Sequence, residues 1–437
     1  MLEPVTICVL AIVVLLILLA IGTPVAVALG LVGFAGMFAV GGAPLALGQL
    51  YTLPYQLGAS YVFAVVPLFV LMGNFVTLGG LAADLYDSAE KWLRHVRGGL
   101  YYATILASTA FGAASGSSVV NTSVFTRIAL PEMLRRGYAK QFSSACISSV
   151  GTIDAMIPPS VAMVVYAIIT EQSLGRLMLA GIVPGLVTAV VYLALVKLYM
   201  RWKPHLAPAP GPKVNLLERV ASLNGVWVVT LLFLVLMGGI YLGLFSPSSA
   251  GAVGAFGAFL VVLVRQRLTR RGFWEALRST ASITGFLFAI IIGGLLLSRM
   301  LVSTGAINEL VEAVQSLSAS PWIVIVLTIV IYSVLGCFLD SMSLMIITLP
   351  FLFPLSQAAK IDPIWFGILV IQLVELATIT PPVGMNLFAT VSAADGLVTL
   401  EDVIRGILPF VALNFVMLGI LIAFPALALW LPNTMMK

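Results

Sequence analysis

Charge is what this chain of 437 residues has least of: 9% of its residues are Asp, Glu, Lys or Arg, and 61% are hydrophobic. Soluble domains carry about 25% charged residues, so a water-soluble fold is excluded. Histidine is nearly missing. His95 and His205 both sit in basic loops, which leaves no material for a His-based metal centre or hydrolytic site, and no transition metal is expected. The three cysteines, Cys8, Cys146 and Cys337, are isolated within apolar runs. They form neither a metal-binding spacing nor a disulfide framework. No polar stretch is long enough for a separate soluble domain. The first apolar run, about Val5–Ala20, is preceded only by Glu3. Without a basic segment before it, a cleaved signal peptide is not expected. The net charge of +5 does not point to nucleic acid, because the basic residues cluster in short loops between apolar runs.

What the chain does have is apolar runs of membrane-spanning length from end to end. The expected fold is an all-α polytopic membrane protein in a lipid bilayer. Ten spans are expected, at about 4–22, 24–41, 61–81, 141–170, 177–200, 225–245, 248–264, 279–302, 362–394 and 403–431. Gly22-Thr23-Pro24 separates the first two, and 42–60 is a chargeless connector. Leu81–Trp92, with Asp84, Asp87 and Glu90, and Ile307–Leu317 read as amphipathic interfacial helices. Arg201–Arg219, with Pro208-Ala-Pro-Gly-Pro212, is a polar linker, and Arg265–Arg278 is a basic loop.

Two segments do not read as plain spans. Residues 98–136 carry Gly112-Ala-Ala-Ser-Gly-Ser-Ser118 where a spanning helix would have Leu and Val, and both ends are basic. Basic residues next to short membrane segments stay cytoplasmic, and two full crossings need about 20 residues each. A re-entrant helical hairpin fits better. Residues 321–357 form a second such hairpin with nearly uncharged ends. Non-helical backbone at membrane depth is tolerated only inside protein or beside a cavity, so both tips are candidate binding elements. With both termini outside, loops 91–97, 127–140, 197–219 and 265–278 fall inside and hold 17 of the 22 Lys and Arg.

The halves repeat. An offset of 223 takes Pro131 to Pro354, Pro158-Pro159 to Pro381-Pro382, and Ser117-Ser118 to Asp340-Ser341. An offset of 225 takes Gly181-Ile-Val-Pro184 to Gly406-Ile-Leu-Pro409 and Gly80 with Leu85 to Gly305 with Leu310. One hairpin opens inward and the other outward, so the repeat is inverted, as in secondary transporters. The expected domains are scaffold helices 1–60, a first repeat 61–200, a linker and central scaffold helices 201–278, and a second repeat 279–437. The spans at 141–170 and 362–394 are broken at their proline pairs. Proline is pre-set for a first helical turn, so a half-helix is expected to start at each pair. With the second hairpin arms, four helix N-termini then converge at mid-membrane and favour an anion. Carbonyls left free opposite suit a hard cation such as Na⁺.

Ser115, Ser117, Ser118, Asn121 and Thr122 offer oxygens at the first tip, and Asp340, Ser341 and Ser343 at the second. Asp340 reads equally as a functional intramembrane carboxylate and as a tip-capping residue. Asp154 and Glu375 each have three readings: cation ligand, proton carrier, or neutral hydrogen-bonded core residue, the last preferred for Glu375. Arg299 either reaches a substrate carboxylate or, the preferred reading, snorkels to the outer interface.

Gly112-Ala-Ala-Ser-Gly-Ser-Ser118, Met156-Ile-Pro-Pro-Ser160, Ala180-Gly-Ile-Val-Pro-Gly185, Gly336-Cys-Phe-Leu-Asp340 and Thr380-Pro-Pro-Val-Gly384, in this order, resemble the large membrane subunit of tripartite ATP-independent periplasmic (TRAP) transporters. The resemblance implies a Na⁺-coupled importer of organic acids such as dicarboxylates or sialic acid, working in the bacterial inner membrane by an elevator movement. It implies a periplasmic substrate-binding protein and a small four-helix membrane subunit as partners, no cofactor beyond Na⁺ as coupling ion, and no enzymatic activity. One Na⁺ site would lie between Ser115, Ser117, Asn121 and the Gly151–Asp154 stretch. Another would lie between Gly336, Asp340 and the Thr378–Thr380 stretch. Substrate would meet Ser118, Thr122, Pro158, Pro159, Ser341, Pro381, Pro382, Gly384 and Asn386. A stand-alone Na⁺- or H⁺-coupled anion transporter or ion antiporter of the same fold is the alternative. The chain departs from the family pattern at Asn121-Thr122, Asp154 and Ala377-Thr378.

Overall fold

A computed structural model describes residues 3–316 and 320–435, and among these every regular element is a helix. Pro4 opens α1 (Pro4–Ala20) at its first turn, where no N–H is needed. α2 (Val25–Ala59) is kinked at Gly42, where the expected span ends, and the expected connector at 42–60 is helical beyond the kink. Gly42, at φ 69°, breaks the ladder for one residue, and Pro44 sits in the first turn of the resumed helix. An apolar, chargeless stretch had no reason to leave the helical state. α3 (Val65–Leu78) follows, then α4 (Leu81–Leu93), the amphipathic segment, entered through left-handed Gly80.

The first hairpin is α5 (Gly99–Ser115) and α6 (Ser118–Arg135). The first broken span is α7 (Lys140–Asp154) and α8 (Val161–Thr170), followed by α9 (Leu174–Trp202). Then come α10 (Leu216–Ser222), α11 (Val226–Tyr241), α12 (Pro247–Val264) and α13 (Arg270–Ser303). The expected basic loop at 265–278 is thus helical from Arg270, because Thr269 caps that turn by accepting from Gly272 N–H at 3.0 Å. α14 (Ala306–Ser316) is the second amphipathic segment; Leu317 lies outside the described residues. The second hairpin is α15 (Pro321–Leu335) and α16 (Ser341–Ala358), and the second broken span is α17 (Pro363–Ile379) and α18 (Met385–Ala393). The last expected span is two helices, α19 (Leu400–Ala423) and α20 (Ala426–Met435), since Pro425 cannot donate to the ladder.

Among the described residues, eight segments are long and apolar enough to cross a membrane by length and composition. One of them is the hairpin arm α16; the other seven, with α1 and the two broken spans, make up the ten expected crossings. The repeat is carried by the backbone itself. α6 and α16 both have 18 residues and start 223 positions apart. Both proline pairs are cis.

The helices pack as two bodies. In one, α13 lies along α2 beside α3 and α12. A glycine seam lets α2 and α13 approach: a Cβ on Gly33 would stand 2.5 Å from the Leu297 nitrogen, and one on Gly293 2.7 Å from the Ala26 carbonyl. Close backbone approach of this kind supplies the dispersion contact that drives helix association where lipid removes the hydrophobic force. In the other body the repeats interlock, with α7 against α19, α8 against α16, and α17 against α9. The hairpin tips face the seam between the bodies, and Gly73 of α3 abuts the Ser115 backbone.

Candidate functional site

One cavity, of about 480 Å³, joins the two bodies at the hairpin tips. It is lined by Ser115, Ser117 and Ser118 from the first tip and by Asp340 and Ser341 from the second. Four of its lining residues are Ser118, Val161, Ser341 and Met385. These are the first residues of α6, α8, α16 and α18. Four helices therefore begin at one cavity, and their free N–H groups and positive dipole ends meet there. Among the described residues no Lys or Arg lines it, so an anion held there would rest on these N-termini and on any co-bound cation.

The half-helices do not start at the proline pairs. Ser160 caps α8 by accepting from Met163 N–H at 3.4 Å, and Gly384 precedes α18. Pro158, Pro159, Pro381 and Pro382 lie in the non-helical links and do not line the cavity. A second proline following the first makes the pair a poor first turn, because the residue before a proline is pushed away from helical φ/ψ.

Each tip docks on the break of its own repeat. At the first, Ser115 Oγ donates to Asp154 Oδ2 at 3.0 Å, and the Val161 N–H donates to the Gly116 carbonyl at 3.3 Å. Gly116 is left-handed at φ 66°, and a Cβ on it would stand 2.6 Å from the Pro159 carbonyl. Asp154 is fully buried, and its Oδ1 has no hydrogen-bond partner. A carboxylate oxygen left so in the membrane interior needs a cation or a proton. At the second tip, Gly336 packs against Ala377 and the Cys337 thiol faces the Pro381 carbonyl at 3.6 Å. Asp340 caps α16: its Oδ2 accepts from the Met342 and Ser343 N–H groups, each at 3.1 Å, and its Oδ1 accepts from the Ser343 hydroxyl. The capping reading of Asp340 is therefore realised, and it also lines the cavity.

The remaining candidates separate. Asn121 turns inward to Ser108, accepting from its hydroxyl at 3.1 Å and donating to its carbonyl at 3.2 Å, which clamps the hairpin arms together. Thr378 and Thr380 direct their hydroxyls to their own helix, at the Glu375 and Leu376 carbonyls. Thr122 and Asn386 are fully buried behind the cavity wall, both against the face of Gly151 where a side chain would stand. Thr122 Oγ1 and Asn386 Oδ1 both lack partners, while Asn386 Nδ2 donates to the Ser148 carbonyl at 3.3 Å. Arg299 lines a different cavity, of about 410 Å³, with Glu171 and Gln172.

Glu375 is the residue that sequence reasoning undervalued. It lines the cavity, accepts from Ser118 Oγ at 3.4 Å through Oε1, and leaves Oε2 without a partner. It thereby ties the first tip to the second broken span. The signal was an acid in an otherwise apolar helix. Asn74 and Ser282 of the first body also line the cavity.

The family described as "Tripartite ATP-independent periplasmic transporter, DctM component" matches residues 12–427. The chain belongs to that family. The C4-dicarboxylate TRAP transporter large permease protein DctM of Pseudomonas aeruginosa is 35% identical over 380 residues, covering 87% of this chain and 88% of that protein. The sialic acid TRAP transporter large permease protein SiaM of Vibrio cholerae is 27% identical over 375 residues, covering 86% and 87%. Among solved structures, the Alcanivorax borkumensis YdaH transporter superposes with a TM-score of 0.59 at 14% identity, over 89% of each chain. That likeness shows a shared fold. As a TRAP large permease the chain is a multi-span membrane component of a tripartite transport system, not an enzyme.

Proposed function

We propose that this chain imports an organic acid by Na⁺ symport, as the large subunit of a TRAP system. The observation that carries the reading is the single cavity at which four helix N-termini and both hairpin tips meet. The dipole ends suit a carboxylate, and the relatives' named cargoes, C4-dicarboxylates and sialic acid, are carboxylates. Na⁺ travels as co-substrate. Its first site uses Ser115 and Asp154, whose unpartnered Oδ1 fits an oxygen-liganded cation, with Ser117, Asn121 and Gly151 around them. Its second site uses Asp340 with the Gly336, Thr378 and Thr380 backbone. Substrate lies against Ser118 and Ser341, with Thr122, Asn386 and Gly384 shaping the wall behind and the proline pairs fixing the links.

The hairpins and broken spans of the first repeat (61–200) and the second (279–437) supply a transport domain that slides as an elevator against a scaffold that includes helices from 1–60 and 201–278 together with α3 and α13. The basic loops face the cytoplasm of a bacterial inner membrane and both termini face the periplasm; residues 1–2 and 436–437 lie outside the described part. Substrate arrives on a periplasmic binding protein, and a small four-helix subunit widens the scaffold.

The test is uptake by proteoliposomes holding the chain with its small subunit. An inward Na⁺ gradient should drive accumulation only when binding protein loaded with an organic acid is added. Accumulation without a Na⁺ gradient, or without binding protein, rejects the reading. A second reading, H⁺ coupling, is favoured by Asp154 and Glu375, each buried with one unpartnered oxygen. Uptake driven by a pH gradient in Na⁺-free buffer would select it.

A further inference from the structure

Away from the transport cavity, a second pocket of about 500 Å³ opens where the start of α7, the end of α9 and the start of α19 meet. Its rim carries Lys140, Lys203, His205 and Arg405 against a single carboxylate, Asp402. Its floor is apolar, formed by Phe142, Tyr199 and Pro409. Lys140 is engaged by Asp402 at 2.8 Å, while Arg405 makes only a solvent-exposed pair with Glu401, one turn away on the same helix, at 2.5 Å. Lys203 has no carboxylate partner among the described residues, and its ammonium stands 5.9 Å from the Tyr199 ring centroid. Taken over the lining, positive charge is in excess.

The depth of the pocket identifies its occupant. Trp202, next to Lys203, is 70% exposed, and exposed Trp marks the headgroup level of a bilayer. One turn further in along α9, Leu198 is exposed, and so is Leu408 beside Pro409 on α19. A basic rim at headgroup depth over an apolar floor matches a phosphate followed by acyl chain, whereas a free anion would use the rim alone. We propose that this pocket binds the headgroup of an anionic phospholipid, with Lys203 and Arg405 on the phosphate. The site lies on the Lys- and Arg-rich side of the molecule, where polybasic segments meet anionic lipid.

The experiment titrates the purified full-length chain, in mixed micelles, with phosphatidylglycerol, phosphatidylcholine or glycerol 3-phosphate. Thermal unfolding and native mass are followed together. Phosphatidylglycerol should raise the melting temperature and appear as a retained adduct, and the other two should do neither. Lys203→Gln with Arg405→Gln should weaken the phosphatidylglycerol effect roughly thirtyfold, from two lost surface charges. Lys203→Arg with Arg405→Lys should keep it within a few-fold. Both side chains are exposed, so the double variant keeps the fold. Undiminished phosphatidylglycerol binding by the double Gln variant, or equal binding of phosphatidylcholine or glycerol 3-phosphate, overturns the assignment.

Discussion

The two repeats share a backbone plan and differ in how tightly their tips are shut. In the first, every residue from Gly151 to Ser160 is buried, and so is the tip up to Gly116. In the second, Phe338 at the tip is 67% exposed, and Val383 and Met385 at the break are each 38% exposed. The charges differ too. The first repeat puts its carboxylate on the break, as Asp154, with Ser117 capping position and no side-chain cap bond. The second puts it on the tip, as Asp340, with Ala377 at the position equivalent to Asp154. Each tip-to-break contact thus holds one acid: Asp154 leaves Oδ1 unpartnered, whereas both Asp340 oxygens are bonded, and the unpartnered Glu375 Oε2 belongs to the second broken span where it meets the first tip. One frame can therefore carry a closed half with an acid oxygen left free at its tip contact and a looser half whose tip acid is committed to holding a helix end.

The largest effect that would break this comparison is steric. Gly116→Ala forces a left-handed residue and drives a Cβ into the Pro159 carbonyl. Left-handed strain costs about 1–2 kcal/mol and overpacking about 1–3 kcal/mol. The variant should lose about 2–5 kcal/mol of stability, read as a fall in melting temperature. Gly137, also left-handed but with nothing within 4 Å of its Cβ position, provides the control, since Gly137→Ala carries the strain alone, about 1–2 kcal/mol. Equal losses from the two would mean the first tip is not sealed against its break.

Next comes the asymmetry of the acids. Asp154→Ala should cut Na⁺-driven uptake by roughly 100-fold or more, since changes beyond the direct ligands alone cost about 10–100-fold in metal affinity. Asp340→Asn keeps an oxygen to cap α16, so it should abolish Na⁺-driven uptake while leaving the melting temperature nearly unchanged. Asp340→Ala should lose both, with about 1 kcal/mol of stability for the missing cap. Uptake and Na⁺ dependence retained in full by Asp340→Asn would reduce Asp340 to a cap.

Much of this plan was readable from the chain. The Pro-Pro pairs, the amphipathic segments and the Ser117–Asp340 correspondence are local chemistry, and each fell on an element of the expected kind. The helix through Gly42 and the break at Pro425 were missed because hydropathy does not separate an apolar connector from an apolar helix. The site was harder. Whether Asn121 faces a cation or Ser108, and whether Thr122 and Asn386 face the cavity or lie behind it, depends on how α5, α6, α7 and α18 pack. Glu375 acquired its place only when the first tip was brought against the second broken span.

The smallest effect sharpens how the two broken spans are anchored at their starts. α17 is capped by Asp362, which accepts from the Ile364 and Trp365 N–H groups at 2.9 and 3.0 Å. α7 has no side-chain cap, and Lys140 at its first position pairs instead with Asp402 at 2.8 Å. Hydrogen bonding from Lys140, then from the Thr399 backbone, lowers the Asp402 carboxyl to about 2. Its unfolded value is about 3.9. A carboxyl depressed on folding binds its proton more readily in the unfolded chain, so its stabilisation is complete above about pH 4 and disappears as pH falls through about 2. Lys140 is 42% exposed, so solvent screening holds the contribution below about 1 kcal/mol. The melting temperature of Asp402→Asn should therefore fall less steeply than that of the parent between pH 4 and 2, and high salt should narrow the gap at neutral pH. An ion pair and a cap would then be two solutions to one problem, and identical pH slopes for parent and variant would show that α7 is held by its packing on α19 alone.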